Sequence, residues 1–156
     1  MPKIDIARIT PRRGSSYPAP FARQAADRTK QALGDAAGLR DFGVNLVTLP
    51  PGAWSSQRHW HSAEDEFVYI LSGEMTLVTD AGATLMRAGE CAGFAREVPD
   101  GHHFINHTSA DAVYVEVGSR AGNDVCHYPD IDLHSDYRDE WFSHKDGTPY
   151  PRPDRG

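Results

Sequence analysis

The chain has 156 residues, with sixteen Lys and Arg against twenty-two Asp and Glu and a net charge of −6. That length closes one core plus some appendages, and 39% hydrophobic with 10% aromatic residues suits a modest globular protein. An acidic balance with no basic block excludes a nucleic-acid partner, because phosphate binding needs a basic surface. No apolar run approaches the roughly 20 residues of a membrane helix, so no membrane partner is expected. The opening MPKIDIARITPRRG lacks the apolar centre of a signal peptide. Cys91 and Cys126 have no motif spacing and suggest neither a disulfide framework nor a zinc ribbon. A cytoplasmic protein with reduced thiols is the expectation.

In chain order, Ile4, Ile6 and Ile9 predict a short edge strand that runs into a Pro-, Arg- and Ser-rich arm. Residues 21–38, FARQAADRTKQALGDAAG, space Phe21, Ala25, Arg28 and Leu33 for one face of a helix, which Gly34 and Gly38 would end. From Asp41 the period becomes two. Phe42, Val44, Leu46 and Thr48 alternate with Gly43, Asn45, Val47 and Leu49, and Pro50-Pro51-Gly52 stops the run. Further short strands are predicted over 58–61, 66–71, 74–79, 84–87, 90–94, 102–107 and 112–117, separated by Gly, Pro and Asp turns. Strands of this length and spacing imply an antiparallel sandwich or barrel. Residues 120–156 are rich in Asp, Pro and Tyr and poor in periodicity. Trp141 and Phe142 are costly to leave in water, so this tail is expected to wrap onto the barrel or a second subunit. The chain thus divides into an arm with a short helix (1–41), a barrel (42–119) and a tail (120–156).

The stretch Gly52 to Gly73, GAWSSQRHWHSAEDEFVYILSG, carries the chemistry. His59 and His61 are two apart and share one face of a strand. Glu66 would face the other way in one unbroken strand. The polar run Ser62-Ala63-Glu64-Asp65 supplies a turn, after which Glu66 can open a second strand and face the histidines. A second cluster, Pro99-Asp100-Gly101-His102-His103-Phe104-Ile105-Asn106-His107, feeds a turn straight into a strand. One of the adjacent histidines must therefore face inward. If it is His102, Phe104 and Asn106 share its face; the opposite parity selects His103. Three imidazoles and one carboxylate, without thiolates, suit Zn, Mn, Fe(II) or Ni.

The first stretch, G-x6-H-x-H-x4-E-x6-G with Gly52, His59, His61, Glu66 and Gly73 in place, resembles the first motif of the cupin superfamily. The run from Gly89 through Pro99 and Gly101 to His102-x3-Asn106 is similar to the second motif, with more residues between the first Gly and the His and with Gly101 directly before His102. The His-x3-Asn ending favours His102 over His103. The resemblance covers about residues 42–119, and the tail pattern DEWFSHKDGTPY looks like a subgroup of small single-domain bacterial cupins of sugar-binding or sugar-phosphate-isomerase type. It implies an all-β, double-stranded β-helix (jelly-roll) barrel with one divalent metal ion per chain on His59, His61, Glu66 and His102.

Other residues have plainer readings. Glu64 and Asp65 read as solvated turn residues, His103 and His107 as surface groups or supports behind the ligands, and Tyr69, Trp54 and Trp60 as packing or interface residues. Cys91 reads as a small buried strand residue. A metal site of this kind serves an isomerase, epimerase or lyase acting on a small carbohydrate-like molecule, an Fe(II) dioxygenase, or a non-catalytic small-ligand module. For a phosphorylated substrate, Arg58, Arg87 and Arg96 are the candidate anion contacts. A homodimer with swapped N-terminal strands is expected, because the barrel has edge strands that something must cover.

Overall fold

The structure, a computed structural model, describes residues 3–152. Its strands are β1 (Arg12–Arg13), β2 (Thr29–Ala32), β3 (Phe42–Leu49), β4 (Trp60–His61), β5 (Glu66–Ser72), β6 (Glu74–Thr79), β7 (Gly82–Arg87), β8 (Cys91–Phe94), β9 (His103–Ile105), β10 (Ala112–Ser119), β11 (Val125–His127) and β12 (His134–Asp136); one short helix, α1, spans Leu33–Ala36. They form a six-stranded sheet in the order β1-β2-β3-β10-β5-β8, a three-stranded sheet β7-β6-β9, and a three-stranded sheet β12-β11-β4. All pairings are antiparallel. This is the antiparallel barrel expected from the strand spacing, in the jelly-roll form implied by the cupin resemblance.

The core follows from strand alternation. Val47 and Leu49 of β3, Val68 and Ile70 of β5, and Ala112 and Tyr114 of β10 point inward, where they meet Met75 of β6, Met86 of β7 and Phe104 of β9. Fully burying a side chain such as Ile70 or Leu49 contributes about 1.5–3 kcal/mol. The other face of β5 carries Phe67, Tyr69 and Leu71, all exposed. A second apolar cluster joins the two ends of the chain. Cys126, Tyr128, Leu133 and Tyr150 pack with Tyr17, Phe21, Trp141 and Phe142, so the tail aromatics leave water against the N-terminal arm.

Three local expectations fail. Ile4, Ile6 and Ile9 do not form a strand; Ile6–Arg8 is a 3₁₀ turn, and Ile4 and Ile6 stay exposed. Residues 21–38 are not one helix but a 3₁₀ turn at Arg23–Ala25, strand β2, and the single turn of α1. The Ala-rich composition favours a helix locally, but the free edge of β3 offers a ladder from Thr29↔Thr48 to Ala32↔Asn45, and that tertiary pairing wins. β2 thereby covers the edge of β3 within the same chain. Cys91 is exposed rather than buried, because it lies beside the outward-facing Tyr69 on β8, the last strand of its sheet.

The two glycines that bracket the His-rich stretch differ in what surrounds them. Both have left-handed φ, 78° at Gly52 and 77° at Gly73. A Cβ at Gly52 meets nothing within 4 Å, whereas one at Gly73 would lie 2.6 Å from the Asp111 carbonyl oxygen and 2.9 Å from Ala112 Cα. Gly52→Ala is expected to cost only the left-handed strain, about 1–2 kcal/mol. Gly73→Ala is expected to cost roughly 1–3 kcal/mol more, because backbone must move. Denaturant unfolding of both variants checks this; equal midpoints would contradict it.

Candidate metal centre

Backbone pairing sets the site. His59 and His102 form an isolated antiparallel bridge, with His59 N donating to His102 O at 3.2 Å and His102 N donating to His59 O at 2.8 Å. Their rings therefore stand side by side, with centroids 4.9 Å apart. His61, on β4, brings its ring centroid 5.0 Å from that of His59. After the 62–65 turn, Glu66 opens β5 on the inward face it shares with Val68 and Ile70. In the second cluster His102, Phe104 and Asn106 are all buried while His107 is exposed, the parity that places His102 inward. His103 is buried too, but elsewhere. Its ring stands edge-on to Trp54 at 4.6 Å, with Nδ1 3.1 Å from the Ser56 carbonyl oxygen. Asn106 donates to Leu49 O and Ala110 O, both at 2.7 Å, and ties the loop behind β9 to β3.

Three imidazole nitrogens converge on one carboxylate oxygen. Nε2 of His59, His61 and His102 lies 3.5, 3.5 and 2.8 Å from Glu66 Oε2. The opposite nitrogens of two rings are held from behind: His59 Nδ1 is 2.9 Å from Gln57 O, and His61 Nδ1 is 2.6 Å from Asp124 Oδ2. With protons assigned to those Nδ1 atoms by their acceptors, both Nε2 atoms turn lone pairs toward an anionic oxygen. Such an arrangement suits a positive charge at its focus, either a proton on the ring nitrogens or a metal ion.

Protons on the ring nitrogens can supply that charge. Burial pushes Glu66 upward, but hydrogen bonds from His102 and His59 and their charge outweigh it and hold the carboxyl well below its usual range. Burial alone would lower His59, yet Glu66 raises it overall. Burial dominates at His102, which is lowered despite Glu66; its Nδ1 is buried without a hydrogen-bond partner and its ring stacks flat on Phe94 at 3.5 Å. The distances from His59 and His102 to Glu66 also fit a divalent metal. Bonds of about 2.0–2.2 Å to nitrogen and oxygen put neighbouring ligand atoms roughly 3 Å apart, close to the observed separations. His59, Glu66 and His102 each offer a ligand atom within 4.8 Å of the others; His61 stands outside that group, with its Nε2 3.5 Å from Glu66 Oε2, and instead groups with His59 and Cys126 and with Glu64 and Asp124.

The cluster opens on both sides. An interior cavity of about 190 Å³ has His59, Glu66 and His102 in its wall, and an opening of about 240 Å³ is bordered by Trp60, His61, Glu64 and His102. Glu64 is not a solvated turn residue. It is half-buried, accepts the Ala121 N–H at 2.8 Å through Oε1, and burial raises its pKa. Asp124 was not among the sequence candidates. It comes from the tail, 63 residues beyond His61, and takes both the His61 ring and the Ala63 N–H (2.8 Å). Only the pairing of β11 with β4, Cys126↔His61, brings it there, and no spacing in the sequence announces that. Trp60 stacks on His127 at 4.0 Å, and Tyr69 points out of the barrel.

Of the three arginines suggested as anion contacts, two are engaged elsewhere and the third lies on the surface. Arg58 grips Asp130 with Nε and Nη2 (2.6 and 2.7 Å), and its Nη1 takes Asp80 and Gly101 O. These carboxylates push its pKa above the ordinary arginine value. Arg87 pairs with Glu74 at 3.2 Å on an exposed hairpin, and Arg96 lies exposed on the loop after β8. Arg58 is thus a clasp between the β6–β7 turn, the loop before His102 and the tail.

Residues 45–118 match the cupin domain family, Cupin_2. No curated protein matches the chain. Among solved structures, a cupin-superfamily sugar phosphate isomerase from Silicibacter pomeroyi DSS-3 is 42% identical, with a TM-score of 0.90 over 96% of this chain and 97% of that one. A protein from Acidithiobacillus ferrooxidans, named provisionally as a sugar phosphate isomerase, is 30% identical, with a TM-score of 0.71 over 82% of this chain and 83% of its own. A predicted oxalate decarboxylase from Thermotoga maritima shares the fold at 21% identity and a TM-score of 0.62, over 76% of this chain and 99% of that one. With the jelly-roll barrel and its inward histidines in place, the chain belongs to the cupin superfamily as a small single-domain member.

Proposed function

We propose that this cupin is a metal-dependent isomerase of a small, polar, carbohydrate-like molecule, with one divalent ion held by His59, His61, Glu66 and His102. The observation that carries the reading is the convergence of three Nε2 atoms on Glu66 Oε2. The similarity to two proteins named as sugar phosphate isomerases supports the substrate class. A bound Zn, Mn, Fe or Ni ion would act as a Lewis acid on a carbonyl or hydroxyl oxygen of the substrate.

The chain's own groups supply the rest. Gln57 O and Asp124 fix the tautomer and tilt of His59 and His61, which raises the basicity of the nitrogens facing the ion. Phe94 borders both the interior cavity and the outer opening with apolar surface and restricts water around the reacting carbons. Glu64 borders the outer opening beside His61. Its Oε1 is engaged by Ala121, leaving Oε2 to carry a proton between adjacent substrate carbons. Burial raises the Glu64 pKa above the ordinary glutamate value, the direction that suits an acid–base group.

Elemental analysis of protein purified without a chelating tag should find about one divalent ion per chain, because the site supplies one set of ligands. His59→Ala, His61→Ala and His102→Ala should each remove most of it, while His103→Ala should leave it unchanged. Loss in His103→Ala with retention in His102→Ala would reverse the ligand assignment. Asp124→Asn should weaken metal binding by about 10–100-fold through the misoriented His61 ring; unaltered affinity would remove Asp124 from the site.

Turnover is tested by incubating the metal-loaded protein with aldose and ketose phosphates in D2O and following interconversion and deuterium incorporation by NMR. Glu64→Gln should lower kcat by about 10²–10⁴-fold with metal content intact. Iron with oxygen-dependent consumption of substrate would instead identify an oxygenase. Saturable binding without conversion would identify a ligand-binding module.

A further inference from the structure

The interior cavity is not lined only by the ligand cluster and apolar side chains; strand β2 also delivers two cations into it. Thr29 and Gln31 pair with Thr48 and Leu46, whereas Lys30 lies opposite the buried Val47. Alternation turns Lys30, and Arg28 two residues before it, to the inner side. Both border the same cavity of about 190 Å³ as His59, Glu66 and His102.

The two cations are held differently. Lys30 Nζ sits 3.1 Å from Glu116 Oε1, which also accepts Asn45 Nδ2 at 3.0 Å. That pair is neutral overall. Arg28 is half-buried and makes hydrogen bonds only to backbone: Nε to Gly14 O at 3.4 Å and Nη1 to Ser55 O. Among the described residues no carboxylate lies within ion-pair distance of it. Its Nη2 is uncommitted, so the tie to Gly14 and Ser55 leaves donors to spare. Arg58 is the contrast, with its guanidinium filled by two aspartates.

A third group is also short of a partner. Tyr114, 1% exposed and a wall of the same cavity, has a buried hydroxyl with no hydrogen-bond partner. An orphaned buried hydroxyl costs about 1–3 kcal/mol, a deficit that a ligand oxygen removes. An uncompensated guanidinium, an ammonium held by a single carboxylate and a free phenol O–H together describe a binding place for an anionic oxygen group.

We propose that Arg28, Lys30 and Tyr114 form an oxyanion subsite inside the barrel that takes the carboxylate or phosphate of the substrate. The guanidinium fork suits either group. The inference rests on reading this cavity as the substrate's, and it gives that reading its charged anchor. It also moves substrate selection from Arg58, Arg87 and Arg96 to a strand that the local sequence disguises as a helix.

The test titrates the full chain with inorganic phosphate and, separately, with acetate by isothermal calorimetry, using metal-loaded and chelator-stripped protein. Wild type should bind one of the two saturably in both forms. Phosphate alone would mark the subsite for phosphorylated substrates, acetate alone for hydroxy acids. Arg28→Met should weaken that binding by about tenfold or more, the loss of one charge-assisted contact, with metal content and melting temperature retained. Should Arg28→Met lose its fold through Ser55, Lys30→Met and Tyr114→Phe decide, each expected to weaken binding severalfold. No saturable binding by wild type, or unchanged binding in the variants that fold, overturns the subsite. His59→Ala separates the two conclusions: anion binding that persists after metal loss keeps the subsite whether or not the metal assignment stands. Metal bound normally with anion affinity indifferent to Arg28 sinks the subsite alone.

Discussion

One constraint organises the molecule: three imidazole nitrogens face a single carboxylate oxygen. Polar atoms gathered this closely in a partly buried place are costly unless a positive charge, proton or metal ion, stands among them, so the surrounding structure has to hold them together. The reciprocal backbone bonds between His59 and His102 do part of this. Gln57 and Asp124 do the rest by gripping the far sides of the rings. Glu66 is fixed by its place at the start of β5, a strand paired on both sides, with β10 and β8. The site is preorganised by ladders, and side chains need only complete it.

The chain ends are part of that preorganisation. The tail contributes β11, which pairs with β4 and carries Asp124 to the back of His61. The arm contributes β2, which closes the edge of β3 and carries Arg28 and Lys30 to the cavity. The two ends then pack on each other through Tyr17, Phe21, Tyr128 and Tyr150, with the Tyr17 and Tyr128 rings edge-to-face at 5.9 Å. A barrel cut at residues 42 and 119 would keep all four histidine-cluster residues yet lose their outer support and the interior cations.

Charge is distributed by the same logic. Arg58 has the sequence position of a functional residue, beside His59, but its two aspartates make it a structural clasp. Arg28 sits in an unremarkable Ala-rich segment and has no carboxylate paired with it among the described residues, because its partners are carbonyl oxygens. Which cation can meet a substrate depends on what neutralises it, and that is a property of the folded surface.

Local pattern carried the strands of the barrel and three of the residues that meet at Glu66 Oε2. Period-2 alternation with Gly and Pro breaks placed strands β3, β5, β6 and β10 almost to their ends, and the H-x-H-x4-E spacing with the 62–65 turn put His59, His61 and Glu66 on a common target. These features are legible because they are local: a strand's side-chain direction follows from parity, and a turn follows from its residues. Tertiary structure alone decided the fate of residues 21–38, the exposure of Cys91, the burial of Glu64 and the arrival of Asp124 and Arg28. In each case the deciding partner lies far along the chain, as with Thr29 and Thr48 or His61 and Asp124, and the energy comes from a ladder or a buried hydrogen bond that no local pattern encodes. The Nε2 focus on Glu66 was therefore visible as a list of residues, while the shape and charge of the cavity around it emerged only when the two ends of the chain closed on the barrel.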